Sequence, residues 1–98
     1  MNTIRHVIVK GRVQGVGYRA WAEHEAIRRG LAGWVRNRRD STVEAVFSGP
    51  AEAVATMIEA LRRGPPGSRV DAIDQRDGNT DDVALLRPGE RFSVLSTA

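Results

Sequence analysis

Residues 48–67, SGPAEAVATMIEALRRGPPG, constrain the fold of this chain more than any other stretch. Val54, Met57, Ile58 and Leu61 fall at i, i+3, i+4 and i+7, which lines them up on one face of an α-helix. Ser48 or Gly49 stands where an N-cap belongs, Pro50 takes the first helical position, and Glu52 lies in the first turn. Gly64-Pro65-Pro66-Gly67 ends the run, because proline cannot continue a helix. A helix with a single apolar stripe has to cover a second layer.

Strands supply that layer. Ile4 to Gly11 alternates, with Val7 and Val9 on one face against His6, Ile8 and Lys10 on the other. Residues 20–29, AWAEHEAIRR, read as a helix whose apolar stripe is Trp21, Ala22, Ala26 and Ile27. Gly30 sits where a helix-ending glycine belongs, and Arg28 and Arg29 suit the negative end of the helix dipole. Gly33 to Asn37 and Val43 to Phe47 are short strands joined by the hairpin-sized RRDST. Val70 to Arg76 alternates weakly as a fourth strand. Residues 79–90 read as loop, and Arg91 to Ser96 as a last strand. The order β-α-β-β-α-β plus a terminal strand predicts an α+β, ferredoxin-like split β-α-β fold. It pairs an antiparallel sheet with two helices on one face. Ninety-eight residues make one domain, 1–98, with one core.

Composition narrows the function. With no cysteine, disulfides, thiolate metal sites and cysteine nucleophiles are all excluded. The net charge is +3, and every basic residue but Lys10 is arginine. These cations are scattered and offset by 12 carboxylates, and the few aromatics are not clustered for base stacking. Charge alone favours anions in general and does not select nucleic acid. No run of 18 apolar residues offers a membrane span, and MNTIRHVIVKG has no secretory core, which predicts a cytoplasmic protein. A monomer is the default. His6 and His24 lack a partnering ligand set, and DGNTDD lacks the closing glutamate of a calcium loop, so no metal site is expected.

GRVQGVGYR, Gly11 to Arg19, links the first strand to the first helix. It is not a P-loop, since no lysine follows the glycines, and Gly15-x-Gly17 lacks the third glycine of a dinucleotide fingerprint. A Cys-x5-Arg phosphatase loop would need cysteine at Val13. What remains is a turn whose amides can converge on an anion, with Arg19 in the first turn of the following helix. Arginine there opposes the helix dipole, and a bound dianion would offset the cost. From these residues alone two readings stand: an anion cradle, or a turn followed by a solvated arginine. Asn37 likewise reads either as a site residue or as a hairpin cap.

Two segments together carry a family resemblance. VKGRVQGVGYR (Val9–Arg19) and GWVRN (Gly33–Asn37), followed by Val43 and Gly49, resemble the paired signatures of the acylphosphatases. The resemblance implies hydrolysis of the carboxyl–phosphate bond of a small-molecule acyl phosphate, giving a carboxylate and inorganic phosphate with no cofactor. It implies that Arg19 binds the phosphoryl group and Asn37 positions the attacking water. The loop of Gln14, Gly15, Val16, Gly17 and Tyr18 would add backbone amides around the phosphate. The chain departs from the pattern at Tyr18, usually phenylalanine, at Ser41, usually glycine, and over residues 78–89.

The chemistry suits what the chain contains. An acyl phosphate expels a carboxylate whose conjugate acid has a pKa of roughly 4, so no general acid is required. Holding the phosphoryl group and aiming a water are tasks of position and charge. Arg36, Arg38 and Arg39 beside Asn37 read as a solvated hairpin, or as cations that draw anions towards Arg19. An RNA-binding module on the same fold would carry a run of aromatics along its central strands, where this chain has Val7, Val9, Trp34, Val43 and Phe47 and no such run. An inactive domain that kept the anion pocket as a sensor is the other alternative.

Overall fold

The computed structural model describes residues 2–98. Its elements run β1 (Asn2–Arg12), α1 (Tyr18–Arg28), β2 (Ala32–Asn37), β3 (Val43–Pro50), α2 (Ala51–Arg63), β4 (Arg69–Asp77), α3 (Thr80–Val83) and β5 (Phe92–Val94). The strands form one sheet in the order β4-β1-β3-β2-β5. β1 pairs antiparallel with β3 and β4, and β2 antiparallel with β3, which is the expected ferredoxin-like core. β5 differs by lying parallel to β2, so the sheet is mixed. Direction explains this: β4 ends at the end of the sheet where β2 begins. A connection crossing there delivers β5 running alongside β2.

One face of the sheet meets both long helices. Val7 and Val9 of β1, Val35 of β2, and Val43, Ala45 and Phe47 of β3 pack against Ala22 and Ala26 of α1 and the predicted α2 stripe. Burying each larger side chain contributes roughly 1.5–3 kcal/mol. Ile27 falls outside this core and is half exposed, because the stripe of α1 is set by Tyr18, Ala22 and Ala26.

The start of α2 also moves. Ser48, Gly49 and Pro50 belong to β3, which pairs them with Ile4, Thr3 and Asn2, and Pro50 itself is the N-cap residue. Ladder hydrogen bonds outweigh the capping preference of serine, so β3 runs directly into α2. The end of α1 follows expectation: Gly30 is left-handed, with φ 73°, while Leu31 N–H reaches the Ala26 carbonyl and Gly30 N–H that of Ile27.

The other face of the sheet carries His6, Glu44, Arg36 and Trp34. Part of it is covered by α3, a turn of helix where loop was expected. Asn79 caps α3 reciprocally with Asp82, a local signal in DGNTDD that suffices for one turn. The indole N–H of Trp34 donates to the Asp82 carbonyl at 2.7 Å.

Candidate active site

β1 ends at Arg12, and the chain passes the buried Val13 into the turn that starts α1. Gly15 and Gly17 hold φ at 74° and 78°, a region costly to residues with a side chain. A Cβ at either would meet open space, so backbone angle and not crowding selects glycine there. Gly17 is the N-cap and offers no side-chain acceptor, and the first turn of α1 contains no acid. The backbone N–H groups from Gly15 to Ala20 find no backbone acceptor among the described residues. Unpaired donors at a helix N-terminus make a positive rim.

Arg19 projects from that first turn and is half buried. Its Nη1 makes a long contact, 3.4 Å, to the Leu95 carbonyl. Leu95 is itself fixed, because its N–H donates to the Val35 carbonyl at 2.9 Å. Asn37 is the last residue of β2, paired across the sheet with Val43. Its carbonyl accepts from Ala98 N–H at 3.0 Å. The segment after β5 therefore touches both residues that the sequence motifs single out.

One cleft of about 450 Å³ gathers the site. Of the residues expected from sequence, Gln14, Gly15, Gly17, Tyr18, Arg19 and Asn37 line it. Val16 does not line it; its side chain packs against the core, which leaves its backbone N–H as the group it offers. Gln14 also spends its side chain elsewhere. Its amide donates to the Arg38 and Thr42 carbonyls, both at 2.8 Å, and so ties the turn to the hairpin after Asn37.

Val13, Ala20, Glu23 and Val94 also line the cleft and were not expected. Glu23 was accessible to sequence reasoning, since it lies one helical turn beyond Arg19 on the same face. Val94 was not, because its place depends on the parallel pairing of β5.

The departures from the family pattern now have a physical reading. The hydroxyl of Tyr18 donates to the Leu61 carbonyl at 2.7 Å, a group near the end of α2 that would otherwise lack a partner. Burial pushes its phenol well above the ordinary value, so it stays a neutral donor. Ser41 is left-handed, with φ 75°, the region that favours glycine.

Arg36 and Arg38 are not simply solvated. Both reach the buried carboxylate of Glu44, at 2.7 and 3.4 Å. His6 is no isolated surface histidine either, since it lies 2.7 Å from the same carboxylate, whereas His24 is exposed. In DGNTDD, the Asp82 carboxylate accepts from Arg76 and from Asn79 N–H.

Comparison with known proteins adds a family to this geometry. The acylphosphatase family profile matches residues 5–93. An acylphosphatase of Rhodopseudomonas palustris is 59% identical over 98 residues, covering 99% of each chain. One of Nitrobacter hamburgensis is 53% identical over 96 residues, covering 98% of this chain and 97% of the other. The crystal structure of acylphosphatase from Bacillus subtilis superposes with a TM-score of 0.83 at 40% identity, over 97% of this chain and 99% of that one. A turn of unpaired amides, an arginine in the first turn of α1 and an asparagine ending β2 thus share one cleft in a chain that matches such relatives end to end. The chain belongs to the acylphosphatase family of hydrolases.

Proposed function

We propose that the chain hydrolyses the carboxyl–phosphate bond of small acyl phosphates without a metal, with Arg19 binding the phosphoryl group and Asn37 positioning the attacking water. The observation that carries this reading is the shared cleft, in which unpaired amides and a guanidinium stand on one element and a neutral amide side chain on another.

Charge selects the anion. The N–H groups from Gly15 to Ala20 and the α1 N-terminus favour a phosphoryl dianion, and Arg19 adds two parallel donors. As charge builds on the phosphoryl oxygens, these fixed donors need no reorganisation, which is where such sites gain rate. Asn37 has no useful basicity. Its work is orientation: its side-chain carbonyl accepts a hydrogen bond from the water or its side-chain NH2 donates one to it, so the oxygen is aimed at phosphorus. The carboxylate then departs unaided, because its conjugate acid has a pKa of roughly 4. The proton released by water passes to the phosphate formed.

Hydrolysis of benzoyl phosphate in 18O-water with a chelator present tests this reading. Label in inorganic phosphate, at a rate the chelator leaves unchanged, is the expected result. Label in benzoate would place the attack at carbon, and loss of activity to the chelator would overturn the metal-free reading.

A further inference from the structure

Glu44 is a carboxylate buried to 6% exposure on the sheet face turned away from the helices. Burying a charge costs several kcal/mol unless it is well paired, and this one is paired three ways. Arg36 Nε donates to Oε1 at 2.7 Å, Arg38 Nη1 lies 3.4 Å from the same oxygen, and His6 Nε2 is 2.7 Å from Oε2. Burial pushes the carboxyl up, but the hydrogen bonds from His6 and Arg36 outweigh it and hold the group below its usual value. Glu44 is therefore ionised at neutral pH.

The register gives this cluster a bearing on the cleft. Arg36 is the cross-strand partner of Glu44, and Asn37 that of Val43. Because side chains alternate, Arg36 and Arg38 share the far face while Asn37, between them, faces the cleft. The guanidinium of Arg36 is held on a second side by the Trp34 indole, 4.8 Å from the ring centre. The end of β2 leads into a hairpin tip with exposed residues 39–41 and a left-handed Ser41, and backbone bonds from Ala98 N–H to the Asn37 carbonyl and from Arg38 N–H to the Thr42 carbonyl hold it in the plane of the sheet. Gln14 grips that hairpin from the cleft side. Stability alone does not call for such a cluster, since a buried ion pair exchanged whole for apolar residues is often as stable, whereas removing one partner alone is costly.

We propose that Glu44 is a positioning residue for Asn37: by clamping Arg36 and Arg38 on the far face, it fixes the end of β2 from which Asn37 reaches the cleft. The proposal rests on the reading that Asn37 aims the water. Glu44 touches no substrate; its effect passes through the backbone between its two arginines.

The test is a double-mutant cycle of Glu44→Gln and Asn37→Ala, with thermal unfolding to show that each variant is folded. It follows benzoyl phosphate hydrolysis and its inhibition by inorganic phosphate. Glu44→Gln keeps the shape and removes the charge. A lost water alignment is expected to lower kcat about tenfold. KM and the phosphate inhibition constant should stay within about twofold, since Glu44 itself contacts neither Arg19 nor the amides of the turn. In the Asn37→Ala background the same change should add less than about a twofold effect. If Glu44→Gln does not fold, Arg36→Gln removes the clamp from the other side and should show the same kcat-only loss. A change confined to KM or phosphate inhibition would overturn the proposal, because it would mean the freed guanidinium charges act on the anion directly. Losses that multiply with those of Asn37→Ala would overturn it as well. Full activity in Asn37→Ala alone would remove the underlying reading of Asn37, and this proposal with it.

Discussion

Ser41 shows how much a single backbone angle decides. At φ 75° it occupies the left-handed region that side chains resist, four residues after Asn37. The strain is roughly 1–2 kcal/mol, against the 0.5–1 kcal/mol or so of extra chain entropy that glycine loses on folding. Ser41→Gly is therefore expected to stabilise the protein by about 0.5–1 kcal/mol, which in a chain this size raises Tm by about 3–6 °C in a thermal melt. The family resemblance pointed to this position from sequence. Tyr18 is the contrasting residue: whether its hydroxyl had a partner depended on where α2 ended, and no local pattern reports that Leu61 presents its carbonyl there. Gln14 is similar, since its carbonyl partners belong to a hairpin more than twenty residues away in sequence.

At the level of elements, β2 leaves little room for change at Gly33. Gly33 holds φ at 140°, and a Cβ built there would lie 1.8 Å from the Val46 carbonyl oxygen. Relief requires opening the ladder between β2 and β3, so Gly33→Ala is expected to cost at least about 3 kcal/mol in urea denaturation, in the range reserved for severe core defects. Most elements were legible because their signals are local: the alternation of Val7 and Val9, the α2 stripe, and the glycine that ends α1. Three features were not. The β3 residues 48–50 looked like a helix cap because their pairing with β1 is invisible from within the segment. The parallel sense of β5 depends on which end of the sheet β4 leaves. The helix α3 was masked by the polarity of residues 79–82, although its reciprocal cap could have been read from Asn79 and Asp82. The candidate site was legible where amides, an arginine and an asparagine sit in fixed motifs, and illegible where Val94 and the Leu95 carbonyl complete it from a distant strand.

The molecule as a whole is held partly by carboxylates that folding makes more acidic. Glu25 is held at about 2, down from an ordinary 4.5, by hydrogen bonds from Arg29 and then Arg28. Asp82 is held at about 2, down from 3.8, by Arg76 and by the backbone of Asn79. A carboxyl whose folded value lies below its unfolded one contributes fully above the unfolded value and is lost as pH falls towards the folded one. Stability should thus be level near neutrality and fall between about pH 4.5 and 2, and Glu25→Gln should flatten part of that fall in denaturation curves taken across the window. The most direct test of the central claim, that the turn with Arg19 holds the phosphoryl group while Asn37 aims the water, is steady-state hydrolysis of benzoyl phosphate by the wild type, Arg19→Ala and Asn37→Ala, each shown to be folded. Arg19→Ala should raise KM and weaken inhibition by phosphate as well as lower kcat, and Asn37→Ala should lower kcat by about a hundredfold or more with phosphate inhibition retained. An Asn37→Ala variant with wild-type kcat, or an Arg19→Ala variant that binds phosphate as the wild type does, would contradict the claim.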